Sequence, residues 1–128
     1  MEPLRTEGLD HVALTVSDLE RSSTFYSHVL GLKRKYEPGH EPSFVLAGGS
    51  GLALFRSDSY PVAEGVGGAS RIRVMHVAFR VDRAQFDRAR EELPSIGIDP
   101  RFEDHGSVHS IYFEDPDGHQ IELCTYEV

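Results

Sequence analysis

Hydrophobic and polar residues alternate in two similar stretches, one in each half of the chain, at residues 9–16 (LDHVALTV) and 74–81 (VMHVAFRV). Alternation of this kind predicts a β-strand with one buried face and one open face. Each stretch is followed by a cap-forming polar residue and then by apolar residues at helical spacing, which predicts helices that end at Gly31 and at Gly97. The same order of strand and helix therefore occurs twice.

Shorter candidate strands follow each predicted helix, and a segment rich in glycine, serine and proline separates the two halves. Because the order recurs, we predict an α+β protein of two βαβββ modules joined by a flexible linker. The predicted single domain covers residues 1–128, with module one at 7–57, the linker at 58–71 and module two at 72–128. The candidate short strands lie near residues 33–36, 43–47, 52–56, 101–103, 109–114 and 120–126.

Charge and composition argue against several classes of function. A formal net charge of −8 disfavours nucleic acids and anionic membranes as partners, because both attract basic surfaces. The single cysteine, Cys124, leaves no intramolecular disulfide, and no apolar run is long enough to cross a membrane. The first residues also lack the apolar core of a signal peptide, so we expect a cytoplasmic protein whose partner is a small molecule.

Side chains alternate between the faces of a strand, so each predicted strand has a face that points away from its helix. In the first strand of each module that face carries a histidine, His11 or His76. In the last strand it carries Glu122, between the helix-facing Ile121 and Leu123. Taken singly, these residues are more typical of hydrogen-bonded strand histidines and of a glutamate that faces water.

Two imidazoles and one carboxylate on a shared face are the ligand set of the facial triad that binds Fe(II). We therefore predict one divalent metal per site, with Fe(II) or Mn(II) favoured and Zn(II) or Ni(II) as alternatives. Alignment of Ser43 with Ser110 puts Phe55 at the position equivalent to Glu122. Because phenylalanine cannot bind a metal, water or substrate is expected to complete the shell.

Further candidates for chemistry lie near this face. Tyr112 shares the facing of Glu122, while His105 and His109 lie in or beside a polar loop, and we predict catalytic roles for all three as hydrogen-bond donors, acids or bases. Arg80 also faces the predicted ligands and could bind a substrate carboxylate or phosphonate through two hydrogen bonds. Structural alternatives stay open: packing for the tyrosine, solvation for the histidines and a salt bridge across the sheet for Arg80.

The chain resembles the vicinal oxygen chelate superfamily in three stretches, LDHVALTVSDLERSSTFYSHVLGL, VMHVAFRV and SIYFEDPDGHQIEL. This superfamily includes glyoxalases, bleomycin-resistance proteins, fosfomycin-resistance enzymes and extradiol dioxygenases, and the resemblance covers essentially the whole chain. It implies a cup-shaped mixed sheet around a metal site, with the helices on the outer face. It also implies His11, His76 and Glu122 as the metal ligands.

Differences among the members of this superfamily bear on the activity. Glyoxalase I and methylmalonyl-CoA epimerase usually carry a fourth ligand, at the position assigned above to Phe55. Fosfomycin-modifying enzymes resemble the end of the chain through Ser110, Tyr112 and Glu122. We predict that Ser110 and Tyr112, together with the Arg80 described above, bind substrate. Those enzymes carry a threonine in place of Ala13 and an arginine beyond the last strand. Extradiol dioxygenases share the three ligands and the tyrosine, whereas bleomycin-binding members have lost the ligands.

The leading expectation is a metal-dependent enzyme of the glyoxalase or dioxygenase type, a lyase or an oxidoreductase, whose small substrate chelates the metal through vicinal oxygens. Two alternatives remain: a sequestering protein of the bleomycin-resistance type and a fosfomycin-type thiol transferase. A homodimer is also expected, because one module closes only half of a cup and a flexible linker allows modules to pair between chains.

Overall fold

The computed structural model describes residues 1–59 and 74–128. The chain divides into two compact units, Met1–Pro61 and Val62–Val128. This boundary falls within the predicted linker, of which residues 60–71 lie outside the described part of the chain. Among the described residues no helix has the length and apolar character needed to cross a membrane.

The first unit holds one helix and a four-stranded sheet in the order β1-β4-β3-β2. The β1 and β4 strands are parallel, and the other neighbouring strands are antiparallel. A single helix, α1, connects β1 to β2, as the alternating and helical patterns predicted. The elements are β1 (His11–Val16), α1 (Leu19–His28), β2 (Lys33–Arg34), β3 (Ser43–Ala47) and β4 (Ser50–Arg56), followed by a short 3-10 helix (Ser57–Ser59).

The second unit repeats this arrangement, with a sheet in the order β5-β8-β7-β6 and parallel pairing between β5 and β8. The predicted α+β class and the two βαβββ modules are therefore confirmed. The elements are β5 (Val77–Arg80), α2 (Arg83–Glu92), a 3-10 helix (Leu93–Ile96), β6 (Arg101–Asp104), β7 (His109–Glu114) and β8 (Gln120–Thr125).

Both helices begin at an aspartate that follows the first strand of the unit. Asp18 accepts a hydrogen bond from the Arg21 amide at 3.0 Å, and Asp82 accepts one from the Gln85 amide at 2.8 Å. Such caps satisfy amide groups that have no partner within the helix. The second α-helix is shorter than predicted, because Pro94 cannot donate the next helical hydrogen bond and the chain continues as a 3-10 helix.

The core of each unit lies between the helix and one face of the sheet. Along β1 and β8 the apolar side chains on the helix side are buried or half-buried, and their neighbours are more exposed, as the alternation predicted. The opposite face of each sheet points away from the helix, and in the second unit it carries the polar residues Glu122, Tyr112 and Arg80. The largest fully buried apolar side chains are Val16, Tyr26, Val45, Leu52 and Leu54 in the first unit and Phe86, Ile111 and Ile121 in the second.

Candidate functional site

The polar face of the second sheet is organised by the register of its strands. Ala78 of β5 pairs with Glu122 of β8, which in turn pairs with Tyr112 of β7. Directly paired residues point to the same face of a sheet. Glu122 and Tyr112 are therefore direct neighbours, and the small side chain of Ala78 leaves space beside the carboxylate.

His76, immediately before β5, lies next to this carboxylate. Its Nε2 atom is 3.5 Å from Oε1 of Glu122, whose side chain is only 12% exposed. A carboxylate shielded in this way requires a hydrogen-bonding or positively charged partner. Two ligand atoms that each lie about 2.1 Å from one metal ion can be at most about 4.2 Å apart. The separation and the chemistry of this pair therefore fit a divalent metal bound to both.

Tyr112 completes a compact group with these two side chains. Its ring meets the His76 ring edge-on, with ring centres 5.7 Å apart, and its hydroxyl lies 3.0 Å from Nε2 of His105. Burial raises the pKa of Tyr112, and a hydrogen bond to the Glu122 carboxylate raises it further. The phenol therefore keeps its proton at neutral pH and acts as a hydrogen-bond donor.

The loop between β6 and β7 holds His105 in reach of Tyr112. The His105 amide donates to the Val108 carbonyl at 2.9 Å, and the Gly106 amide donates to Asp104 at 2.8 Å, which closes a tight turn. The imidazole Nε2 atom also lies 3.5 Å from Oε2 of Glu103. The predicted catalytic residues Tyr112 and His105 are thus brought together.

The predicted substrate-binding residues lie one row further along the same face, where Arg80, Cys124 and Ser110 pair in register. The Ser110 hydroxyl is buried without a hydrogen-bond partner. The Arg80 guanidinium stacks 4.4 Å from the centre of the Tyr126 ring, and it forms no salt bridge with any carboxylate in the described part of the chain. Both groups can therefore donate hydrogen bonds to a ligand.

Cys124 shares this row but has the properties of a neutral thiol. Burial raises the pKa of Cys124, and the charge of Glu122 raises it further. Because the thiolate is the nucleophilic form of cysteine, this environment suits a small buried side chain and not a nucleophile.

His109 is the predicted catalytic residue that the structure places elsewhere. Its Nδ1 atom lies 2.8 Å from the Arg83 guanidinium of α2, and its ring is near the buried Phe86. Alternate residues of β7 point to opposite faces, so His109 faces the helix while Tyr112 faces the candidate site. The prediction that His109 acts beside the metal is therefore wrong.

His11, the third predicted ligand, belongs to the first unit. Its Nδ1 atom lies 2.7 Å from Oδ2 of Asp10, and its ring meets the edge of Phe44 with ring centres 5.2 Å apart. Opposite His11 in β4 is Gly51, where any larger side chain would collide with the Val45 carbonyl. Sequence reasoning did not identify Asp10, although an acidic residue directly before the predicted ligand was an available signal.

The register of the first unit corrects the position assigned to a fourth ligand. Ala13 pairs with Ala53, which pairs with Phe44, so the position equivalent to Glu122 is Ala53 and not Phe55. Equal spacing from the two serines was misleading, because the turn between β3 and β4 is tighter than the turn between β7 and β8. Alanine cannot bind a metal either, so the expected set of three ligands is unchanged.

Each unit by itself provides an incomplete ligand set. Within either unit the described residues contain no group of three or more His, Cys, Asp or Glu side chains placed to bind one metal. The second unit contributes His76 and Glu122 of the predicted set, and the first contributes His11.

Comparison with known proteins adds independent information. Residues 8–123 match the family described as the Glyoxalase/Bleomycin resistance protein/Dioxygenase superfamily. The chain is 30% identical over 125 residues to the metallothiol transferase FosB of Lysinibacillus sphaericus, with 95% of this chain and 84% of that protein covered. It is 33% identical over 128 residues to the fosfomycin resistance protein FosX of Mesorhizobium japonicum, with 93% and 86% covered.

Solved structures show the same similarity. FosX from Mesorhizobium loti superimposes with a TM-score of 0.67 at 32% identity, covering 94% of this chain and 93% of that one. A lactoylglutathione lyase from Agrobacterium tumefaciens gives a TM-score of 0.73 at 23% identity, covering 94% of both chains, which shows a shared fold.

Proposed function

Because the chain belongs to the glyoxalase, bleomycin resistance protein and dioxygenase superfamily, we propose that it is a divalent-metal-dependent enzyme acting on a small, oxygen-rich substrate. His11, His76 and Glu122 are the proposed ligands of the metal. The observation that carries the proposal is the 3.5 Å contact between His76 and the shielded carboxylate of Glu122, with the Tyr112 phenol beside it. Two ligands and a proton donor then lie on one open face of the second sheet.

The relatives favour fosfomycin modification over the lyase and dioxygenase chemistry expected from the sequence. Proteins that are 30% and 33% identical to this chain are a metallothiol transferase and a fosfomycin resistance protein. Fosfomycin is a phosphonate that carries a three-membered oxirane ring. We therefore infer that this chain adds a nucleophile, a thiol or water, to such a ring. The nucleophile forms a bond to a ring carbon and gives up its proton, the bond between that carbon and the ring oxygen breaks, and the released oxygen takes up a proton.

A bound divalent metal supplies Lewis acidity toward the ring oxygen, through the carboxylate and imidazole ligands that Mn(II) and Fe(II) accept. The protonated Tyr112 phenol is proposed to donate a hydrogen bond to that oxygen as negative charge develops on it. His105, 3.0 Å from the phenol, orients the hydroxyl and can exchange a proton with it.

The phosphonate is proposed to bind one row away from the metal ligands. Arg80 offers a guanidinium without a carboxylate partner among the described residues, and Ser110 offers a buried hydroxyl without a partner. Charge-assisted hydrogen bonds from a guanidinium suit the geometry of phosphonate and carboxylate oxygens. A substrate bound in this way spans the distance between the two rows.

Turnover with defined substrates tests the proposal. Protein purified without added metal is analysed for metal content, reconstituted with Mn(II), Fe(II), Zn(II) or Ni(II), and incubated with fosfomycin alone or with glutathione or cysteine. Phosphorus NMR distinguishes a thiol adduct from the diol that water produces. Catechol and the methylglyoxal–glutathione adduct serve as dioxygenase and lyase substrates. Binding of fosfomycin without conversion in any condition supports a sequestering protein instead.

We also propose that the active form is a homodimer in which His11 from one chain completes the site of the other. The incomplete ligand set of each unit and the open polar face of β1 support this arrangement. His11→Ala and Glu122→Ala proteins are mixed under conditions that allow subunit exchange. If sites are shared, the mixed dimer has one intact site and regains metal. Sedimentation that shows only monomer at micromolar concentration contradicts the dimer.

A further inference from the structure

The contact between Asp10 and His11 has no counterpart in the second unit. Asp10 approaches Nδ1 of His11 to 2.7 Å, which is within the range of a charge-assisted hydrogen bond. The residue before the other predicted histidine ligand is Met75, an apolar residue with no carboxylate. His76 instead has Glu122 as its acidic neighbour, and that contact involves its Nε2 atom.

This hydrogen bond determines which nitrogen of His11 is available. In a neutral imidazole one ring nitrogen carries a proton and the other carries a lone pair, and the hydrogen bond made by one nitrogen fixes the state of the other. A carboxylate at Nδ1 requires a proton there, which leaves the lone pair of His11 on Nε2. The edge contact with Phe44 further restricts rotation of the ring.

We propose that Asp10 is a positioning residue that prepares His11 to bind the metal through Nε2. The inference deepens the proposed function, because it depends on His11 being a ligand. An outer carboxylate of this kind holds the ring orientation and increases the basicity of the coordinating nitrogen. The two histidine ligands are thus prepared differently: His11 by a neighbour in sequence, and His76 by contacts across its sheet.

The exposure of Asp10 makes the inference straightforward to test. Its side chain is 88% exposed and that of His11 is 41% exposed, so the pair contributes little to the stability of the fold. Substitution of Asp10 is therefore expected to leave the protein folded. Any change in metal binding can then be attributed to His11 and not to unfolding.

Metal affinity is measured by titrating Mn(II) and Zn(II) into metal-free protein against a competing fluorescent chelator. We expect Asp10→Ala to weaken binding by about 10- to 100-fold, the usual effect of removing an outer hydrogen-bond partner of a metal ligand. Asp10→Asn, which keeps a hydrogen-bond acceptor without the charge, is expected to restore part of the loss. Met75→Ala, at the equivalent position of the other module, is the matched control and is expected to change affinity by less than about twofold.

A second measurement does not depend on metal. Nitrogen-15 NMR of the histidine side chains in metal-free protein reports which ring nitrogen carries the proton. In the wild type the His11 proton is expected on Nδ1, and in Asp10→Ala a substantial fraction should move to Nε2. An unchanged protonation pattern, or an Asp10→Ala affinity within twofold of a tightly binding wild type, overturns the inference and leaves the proposed function standing. A wild type that binds no divalent metal overturns both.

Discussion

In the second unit Ala78 of the first strand pairs with Glu122, which pairs with Tyr112 on the next strand. In the first unit the equivalent residue, Ala13, pairs with Ala53, which pairs with Phe44. The strand order, the pairing directions and the capped helix are otherwise the same in both units. A carboxylate and a hydroxyl in one module thus correspond to a methyl group and a phenyl ring in the other. The fold does not require polar groups at these positions.

Under the proposed function, this difference gives the two modules separate roles. The second carries a carboxylate, an imidazole and a phenol within one small group. The first carries His11, whose imidazole contacts Asp10 and the edge of the apolar Phe44 ring.

The largest expected effect comes from removing the proposed metal ligands of either module. His11→Ala, His76→Ala and Glu122→Ala are each expected to abolish tight binding of one divalent metal per site, because the remaining two ligands cannot hold the ion at micromolar concentration. Metal content after dialysis gives the stoichiometry, and circular dichroism verifies the fold. His109→Ala is the matched control, since this histidine faces the helix, and should retain its metal. Any ligand variant that keeps full stoichiometry removes that residue from the set.

A smaller but still large effect is expected at Tyr112, the residue that pairs with Glu122. Tyr112→Phe makes the second module resemble the first, and we expect kcat to fall by about 100-fold while metal affinity is unchanged, because the variant removes only a hydroxyl that stabilises developing charge. Steady-state kinetics with the substrate that the turnover assay identifies measures this effect. Phe44→Tyr in the first module is the control and should leave kcat within about twofold. Loss of metal from Tyr112→Phe is the contrary result, and it would indicate that the phenol maintains the ligand geometry.

The converse substitution adds a carboxylate to the first module. Ala53→Glu is expected to provide a fourth ligand and to tighten metal binding on the order of tenfold, because added ligand charge raises affinity. Phe55→Glu, at the position that sequence spacing suggested, should have no such effect. Ala53 is only 1% exposed, so thermal unfolding of Ala53→Glu is measured with and without metal. A stabilisation by metal that does not exceed that of the wild type contradicts the register.

The contrast between the modules also shows which features of the molecule could be predicted from sequence. Alternation along β1, β5 and β8 placed His11 and Glu122 on the correct faces, because a buried face leaves a period-two pattern that survives any error in element ends. The register of the strands was less predictable, because it depends on turn geometry. Equal spacing from Ser43 and Ser110 made Phe55 the predicted equivalent of Glu122, whereas the strand pairing makes it Ala53.

Two residues escaped sequence reasoning for geometric reasons. His109 was predicted as the first residue of the strand at 109–114, but alternation along that strand was not applied to it, and its side chain points toward α2. Asp10 directly precedes β1, where the rule that neighbouring side chains point to opposite faces no longer applies, so its carboxylate can reach His11. The first case is one of side-chain facing within a correctly bounded strand, and the second depends on where a strand begins.

The modules also differ in the side-chain contacts that join each helix to its sheet. This difference predicts the smallest effect. In the second unit Arg83 of α2 contacts His109 of β7 at 2.8 Å. In the first, Arg34 of β2 binds both carboxylate oxygens of Glu20 in α1, at 2.8 and 2.9 Å. The hydrogen bond from Arg34 lowers the pKa of Glu20 below its ordinary value.

A lowered pKa in the folded state means that this pair stabilises the protein where Glu20 is ionised in both states, and that the contribution is lost as the pH falls through the folded pKa. Arg34→Ala is therefore expected to lower the melting temperature slightly at pH 7, and the difference from the wild type should disappear in acid. The effect should also shrink at high salt, because the carboxylate is exposed and screened. Arg88→Ala, which breaks an exposed pair with Glu92 inside α2, is the control for loss of a surface charge that joins no two elements. A difference between Arg34→Ala and the wild type that persists undiminished at low pH contradicts an electrostatic origin, and it would assign the role of Arg34 to the packing of its side chain against α1.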